Sequence, residues 1–487
     1  MVHFTKLARA GRATSSKQVL RAAALVGFTV RLHGDVKILD QQSRVIMRAI
    51  SRNVRTPECV PRIIDMTIAK RKPFTLRRVL EAIGPGVTTG AADDDPSGVA
   101  TYTIAGAQLG TSLLWTAWLT WPLMAAVQMM CARIGMVTGM GLAGALRQKF
   151  PRWTIAAASL ALLVANTINI AADLAGMADG AHMLGGGPAG AWVVVFGLGI
   201  CVATVRLRYQ QIASVLKWLA LVLFAYVIAA FVLKPNWREV AQAAFNVSRP
   251  KGHLMWATLV AILGTTISPY LFFWQAGQEV EEQEAMGRRM VARRRSPEYD
   301  KVVDRRIDIT LGTLFSNVVM FFIILTAALT LHKAGVTEIS STKQAAEALR
   351  PLAGDLAYWL FTLGIVGTGL LAIPTLAGSS AYAFAETFNW AYGLDKKFRQ
   401  ARSFYAVFVL ATVVGIAMDF SGIDPIRALF WTAVINGVLA PFLLVGIFLV
   451  ATDRKIMRGQ LSSMLTRVVA AIATALMFGA AIGMFVF

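Results

Sequence analysis

About eleven stretches of this chain are apolar over enough consecutive residues to cross a lipid bilayer. A helix needs roughly 20 residues to span about 30 Å of hydrocarbon, and 56% of the 487 residues are hydrophobic while 15% are charged. The stretches are continuous rather than alternating, which favours helices over barrel strands, because backbone groups in lipid must be bonded within their own segment. The sequence therefore predicts an all-α polytopic membrane protein with spans near 80–109, 112–136, 154–178, 189–206, 211–233, 255–280, 309–331, 356–385, 403–418, 426–450 and 464–486.

The positions of the Lys and Arg side chains predict the orientation of these spans. If the N-terminus is inside, the inner loops carry 22 Lys and Arg residues and the outer loops carry 8. Cytoplasmic loops are normally enriched in positive charge. We predict a cytoplasmic N-terminus, an external C-terminus and a solvated Arg-rich cytoplasmic loop at 288–306. Topology thus explains most of the formal net charge of +21, and no nucleic-acid partner is expected.

The first 75 residues differ in kind from the rest. They are rich in Arg, and their one apolar patch, residues 22–30, is too short to span a bilayer. We predict a basic cytoplasmic extension over 1–75 and a transmembrane domain over 76–487. Two alternatives for the extension stay open: a disordered segment, or a stretch that is not translated because synthesis starts at Met66.

A cluster of acids and helix breakers interrupts the first apolar span. It comprises Asp93, Asp94, Asp95, Pro96, Ser97 and Gly98. Proline lacks an N–H group and clashes with the preceding turn, glycine tolerates most backbone angles, and serine bonds freed backbone groups, so the helix should open here. Because a charge at the bilayer centre costs at least ~2.5 kcal/mol, a cation is the expected counter-charge. The alternative places these acids in headgroup water at a helix end, but the flanking residues are mostly apolar or small.

The sixth span contains a second interruption, in the stretch ILGTTISPYLFFWQAGQEVEEQ. Gly264, Thr265, Thr266, Ser268 and Pro269 form a polar, helix-breaking patch within an apolar run. The two breaks lie five spans apart, as in an inverted repeat of two five-helix halves whose discontinuous helices meet around a substrate. A proline kink without function is the alternative for this span alone.

Two motifs resemble those of the natural resistance-associated macrophage protein (Nramp) family of divalent-metal transporters. DPSGVATYTIAGAQLG, which starts at Asp95, is similar to the family's first-helix signature, usually Asp-Pro-Gly-Asn followed by Ala-Thr and Ala-Gly-Ala. GTTISPY, which starts at Gly264, is similar to its sixth-helix segment, usually Ala-x-x-Met-Pro-His. The likeness runs from about residue 76 to 450. It implies the leucine-transporter fold, with inverted repeats at about 80–233 and 255–450 and an extra helix at 464–486.

The same resemblance implies roles for individual residues. Asp95 matches the family's metal-binding aspartate, and Asp173 matches an acid of the third helix that is associated with a proton pathway. Four other family positions are changed here: the asparagine ligand is Gly98, the methionine is Ser268, the histidine associated with proton movement is Tyr270, and a second third-helix acid is Gly176. Proton coupling is therefore doubtful.

These replacements change the type of metal ligand that the site offers. Thioether ligands favour transition metals, whereas hydroxyl, carboxylate and carbonyl oxygens suit magnesium, calcium and manganese. We predict an oxygen-only metal site in which Asp95 supplies the charge, Thr265 and Ser268 supply neutral oxygens, and Asp93 or Asp94 adds an anionic contact, with backbone room at Gly98. Magnesium keeps part of its water shell, and the pattern is similar to the magnesium-transporting branch related to this family.

The sequence thus predicts a secondary transporter of magnesium or manganese that works by alternating access in the plasma (inner) membrane. The lipid bilayer is its expected surroundings, the metal ion is its substrate, and no cofactor is expected. A transporter of amines or amino acids on the same fold is the first alternative. A magnesium-dependent prenyl-transfer enzyme is the second, but it needs another acidic cluster facing the first, and the acids of 279–284 lie at the predicted cytoplasmic end.

Overall fold

The computed structural model describes residues 89–90, 92–207, 221–248, 250–285, 299–339, 342–349, 354, 356–420, 422 and 424–486. The predicted extension over 1–75 lies outside this part of the chain. So do the first residues of the first predicted span and the first residues of the fifth. Within the described ranges, regular secondary structure is helical throughout. Eight helical stretches there are long and apolar enough to cross a membrane, which confirms the all-α polytopic class.

The described α-helices follow the order of the predicted spans, with short helices between some of them. In chain order they are α1 Pro96–Leu109, α2 Trp115–Thr138, α3 Leu142–Leu146, α4 Arg152–Gly185, α5 Ala189–Arg206, α6 Phe224–Val232, α7 Trp237–Phe245, α8 Gly252–Thr266, α9 Pro269–Ala285, α10 Tyr299–Ala327, α11 Thr342–Ala346, α12 Leu356–Phe388, α13 Arg402–Asp419, α14 Pro425–Ala451 and α15 Met464–Val486.

Two of the predicted spans are interrupted. Residues 89–90 and 92–93 are helical, Asp94 and Asp95 are not, and α1 begins at Pro96. In the sixth span, α8 ends at Thr266, and α9 begins at Pro269. Proline is well tolerated as the first residue of a helix, because its missing N–H would have no partner there in any case. Each break is therefore a helix end followed by a new helix start.

The 34-residue helix α4 carries a polar stripe through the protein interior. It packs against α12, α13, α14 and the start of α1. Asn166, Asn169 and Asp173 are all fully buried, and their spacing places them on one face of the helix. Asn166 donates its amide hydrogens toward Leu376 O on α12 at 2.9 Å and toward two serine hydroxyls of that helix. The same face reaches the break before α1.

Glycine allows α8 and α14 to touch backbone to backbone. A Cβ atom at Gly264 would overlap the carbonyl of Ala433 and lie 2.6 Å from the Cα of Gly437. A Cβ atom at Gly437 would in turn overlap the carbonyl of Val260. Close approach through small residues is a common way for membrane helices to pack. This contact holds the first half of the broken sixth span against α14.

Replacing Gly437 by valine should destabilise the protein by about 1–3 kcal/mol, because the new side chain would meet backbone atoms that cannot move aside cheaply. The expected result is a lower thermal unfolding temperature in detergent, with reduced recovery of monodisperse protein. Gly199→Val is the matched control, since a Cβ atom at this helical glycine would meet nothing within 4 Å. Equal melting temperatures for the two variants would contradict the packing account.

A buried ion cluster joins the end of α9 to the start of α10. Arg305, whose side chain is 9% exposed, forms salt bridges with Glu279, Glu282 and Asp308, and the last pair is 2.5 Å apart. The prediction of a solvated loop over 288–306 is therefore wrong for Arg305, because an arginine among three acids can enter the protein with its charge compensated. Residues 288–298 lie outside the described part of the chain.

Candidate functional site

Asp95 lies at the N-terminal end of α1 and caps that helix. Its Oδ1 atom accepts hydrogen bonds from the backbone N–H of Gly98 at 2.7 Å and from the Ser97 hydroxyl at 2.6 Å. Such caps satisfy backbone donors that have no partner within the helix. The side chain is 1% exposed. Pro96 and Ser97, predicted as helix breakers, thus place the carboxylate at a helix end inside the protein.

The second oxygen of Asp95 faces other helices. Oδ2 accepts a hydrogen bond from the Asn169 amide of α4 at 3.1 Å, and the Tyr270 hydroxyl of α9 lies 3.5 Å away. Asp173, one helical turn beyond Asn169 on the same face of α4, is fully buried, and its carboxyl group lies near the backbone N–H of Ser97. Two carboxyl groups from different helices therefore share this interior site.

The two helix breaks meet at this site. The Tyr270 hydroxyl, in the first turn of α9, donates to the carbonyl of Ala92 at 3.1 Å. A Cβ atom at Gly98 would lie 3.1 Å from Thr265 Oγ1 and 3.5 Å from Asp95 Oδ1. Because glycine stands there, no Cβ atom fills the gap between the hydroxyl of Thr265 and the carboxylate. The predicted neighbours Asp95, Gly98 and Thr265 are therefore brought together.

Ser268 is held within the second break. Its hydroxyl lies 2.7 Å from the carbonyl oxygens of both Gly264 and Thr265, which are left free at the end of α8. The hydroxyl hydrogen is used to satisfy this helix end, while the oxygen keeps its lone pairs. Pro269 then starts α9. The predicted Ser268 and Pro269 thus form a helix end and a helix start beside the gap.

Asp93 and Asp94 face a different helix from Asp95. The Ser316 hydroxyl of α10 lies 2.6 Å from Asp93 Oδ2 and 3.0 Å from Asp94 Oδ1. Both acids are 0% exposed. The structure thus gives these two acids a common partner that is not among the hydrogen-bond partners of Asp95.

Two contributors to the site are absent from the sequence prediction. Asn169 bonds to Asp95, and Ser316 bonds to the neighbouring acids. One signal was present for Asn169, because it lies four residues before Asp173 and therefore on the same helical face. No comparable signal marks Ser316, whose position depends on the packing of α10 against the first span.

The site is anionic but is not a closed cage of metal ligands. Among the described residues, no group of three His, Cys, Asp or Glu side chains is arranged to hold a metal ion. The hydrogen bonds to Asp95 come from neutral groups. A cation at this position would therefore meet carboxylate and hydroxyl oxygens, which are ligands typical of hard divalent ions.

Broken helices that meet around a buried acid in a polytopic helical protein define a secondary transporter. The chain belongs to the family described as natural resistance-associated macrophage protein-like, because that family's model matches residues 86–487. Members of this family are transporters, so the prediction of a transporter rather than an enzyme is confirmed. The prenyl-transfer alternative is thereby excluded.

Comparison with individual proteins agrees with the family match. The divalent metal cation transporter MntH of Yersinia enterocolitica is 26% identical over 326 residues, which are 65% of this chain and 76% of that protein. MntH of Caldanaerobacter subterraneus is 24% identical over 401 residues, 81% of this chain and 90% of its own length. The structure of the Eremococcus coleocola manganese transporter matches with a TM-score of 0.64 and 17% identity, over 85% of this chain and 88% of that one. This structural likeness confirms the predicted fold class.

Proposed function

We propose that this protein moves a hard divalent cation, magnesium or manganese, across a membrane through the gap between its two broken helices. The prediction of a divalent-metal transporter is confirmed by membership of the Nramp-like family, and the two MntH relatives described above are divalent metal cation transporters. Alternating access follows from the fold, in which one helix bundle rocks against the other around a central site. Family membership does not favour the organic-solute alternative.

The observation that carries this proposal is the surroundings of Asp95. The carboxylate is almost fully buried, and it lies where the second half of the first span and the two halves of the sixth converge. Its neutral hydrogen-bond donors leave its charge uncompensated, and Asp173 adds a second buried carboxyl group nearby. Because buried charges in a membrane are expensive unless paired, a dication is the partner that best balances this site.

The preference for hard cations rests on the chemistry of the ligands. Thr265 presents a hydroxyl beside the gap, and Ser268 stands where a thioether would favour softer metals. In this proposal Asp95, Thr265 and Ser268 contact the ion, and Gly98 leaves room for it. The anionic contact of Asp93 or Asp94 and the place of Asp173 in a proton pathway stay predictions.

The chain is an integral membrane protein, and its family and helices support that statement directly. We place it in the plasma membrane, with the N-terminus in the cytoplasm and the C-terminus outside. This orientation is supported by the excess of Lys and Arg in alternate loops.

The test is uptake of magnesium, manganese and cadmium by the purified full-length protein in liposomes. We expect uptake of magnesium and manganese to exceed that of cadmium. Ser268→Met should reverse this order and raise the rate of cadmium uptake relative to manganese uptake by about tenfold, because the thioether places a soft ligand where the hydroxyl oxygen was. Ser268→Ala is the control, since it removes the hydroxyl without adding sulfur. If the unmodified protein takes up neither magnesium nor manganese, the proposal is rejected.

A further inference from the structure

Asn169 approaches the break before α1 from a different helix, α4, and is 0% exposed. Its Nδ2 atom donates to Asp95 Oδ2 at 3.1 Å. Its Oδ1 atom accepts no hydrogen bond from any described residue. A buried amide oxygen without a donor costs free energy that a bound ligand or water can recover. The NH₂ group of the side chain is therefore hydrogen-bonded, whereas its carbonyl oxygen can still bind a ligand.

Of the two carboxylate oxygens of Asp95, Oδ2 has the longer hydrogen-bond contacts. Oδ1 already accepts two hydrogen bonds, from Ser97 and Gly98, which also begin helix α1. Oδ2 is approached by the Asn169 amide and, at 3.5 Å, by the Tyr270 hydroxyl. A cation that reaches Oδ2 must therefore meet the Asn169 side chain, whose NH₂ end repels it and whose carbonyl end attracts it.

The planar amide of Asn169 can exchange these two ends by a half turn about its last side-chain bond. That torsion is broad in asparagine, so the turn needs no movement of α4. In the ion-free arrangement the NH₂ group stabilises the Asp95 carboxylate through a hydrogen bond to a charged acceptor. After the turn, the same side chain presents an oxygen to a cation bound at Oδ2.

We propose that Asn169 is a ligand of the transported cation and that its amide turns when the ion binds. This inference rests on the proposed function. The NH₂ group holds Asp95 in the ion-free site, and Oδ1 coordinates the cation in the loaded site. The ligand is a neutral oxygen, of the kind that magnesium, calcium and manganese accept. It adds coordination without adding negative charge to a site that already contains Asp95 and Asp173.

Two substitutions separate a ligand from a residue that merely positions Asp95. Asn169→Ala removes both ends of the amide and should raise the KM for manganese uptake by about tenfold or more. Asn169→Cys replaces the amide oxygen by a soft sulfur and has no amide donor. If Asn169 is a ligand, Asn169→Cys shifts uptake from manganese toward cadmium by about tenfold relative to Asn169→Ala, because sulfur then replaces an oxygen that contacts the ion. If Asn169 only donates to Asp95, Asn169→Cys and Asn169→Ala both lack that donor and show the same ratio of cadmium uptake to manganese uptake.

Asn166→Ala is the matched control. Asn166 is equally buried on the same helix, and its amide bonds to α12, so its loss should lower stability without changing the KM for manganese. An unchanged KM in Asn169→Ala, or equal changes in KM for Asn166→Ala and Asn169→Ala, would overturn the ligand role while leaving the proposed function in place. Absence of divalent-cation uptake by the unmodified protein would instead overturn the proposed function, and this ligand with it.

Discussion

Replacing Asp95 by asparagine should abolish detectable uptake of magnesium and manganese while leaving the protein folded. Asparagine keeps the volume and an oxygen that can accept hydrogen bonds from Ser97 and Gly98, so the cap of α1 is retained. It removes the negative charge that a dication requires. The loss of one charged ligand corresponds to a reduction in cation affinity of about ten- to a hundredfold, and the change should be measured by uptake and by ion-induced thermal shift. Asp95→Ala should abolish uptake as well.

A second aspartate in the chain supplies the control for helix capping. Asp424 caps α14, it is followed by Pro425, and it accepts a hydrogen bond from the backbone N–H of Arg427 at 3.1 Å. Asp424→Ala should therefore lower the free energy of unfolding by about 0.5–2 kcal/mol, as we expect for the cap lost in Asp95→Ala, but it should leave uptake unchanged. If Asp95→Asn still transported magnesium and manganese at the rate of the unmodified protein, the central role of Asp95 would be wrong.

The fold class could be predicted from the sequence because its main signals are local. A continuous apolar stretch of about 20 residues is sufficient to predict a membrane helix, and proline, serine and glycine indicate where such a helix opens. The fold prediction is confirmed, and α5 begins and ends at the predicted residues. The correspondence between the first and sixth spans was visible for the same reason, since both contain helix breakers in equivalent places.

The partners of the site residues were not predictable in the same way. The contacts of Asn169 with Asp95 and of Ser316 with Asp93 depend on the rotation and separation of whole helices. No motif in one stretch reports such distances. Asn317 is a partial exception, because an amide in a membrane helix is expected to bond to a neighbouring helix rather than stay unpaired. Its Oδ1 atom accepts a hydrogen bond from Thr120 of α2 at 2.6 Å.

Arg305 shows where a rule based on composition fails. A run rich in arginine is usually a solvated loop, yet Arg305 is buried with Glu279 and Asp308 and also pairs with the partly exposed Glu282. The adjacent Arg306 is exposed. Sequence composition treats these two neighbours alike, whereas helix geometry turns their side chains in different directions.

Replacing Arg305 by alanine should destabilise the protein by about 3–5 kcal/mol, because the buried acids Glu279 and Asp308 would lose their shared counter-charge. The change should appear as a large decrease in the thermal unfolding temperature in detergent. Arg306→Ala removes the same formal charge from an exposed neighbour and should change the unfolding temperature little.

The charge argument also predicts a rescue. Adding Glu279→Gln and Asp308→Asn to Arg305→Ala should restore part of the lost stability, because the triple variant no longer buries carboxylates without a cation. A purely steric role for the arginine side chain would give no such recovery, since the cavity left by alanine persists in the triple variant. Equal unfolding temperatures for Arg305→Ala and Arg306→Ala would show that the cluster joining α9 to α10 contributes little to stability. A triple variant no more stable than Arg305→Ala would show that charge compensation is not the reason the cluster exists.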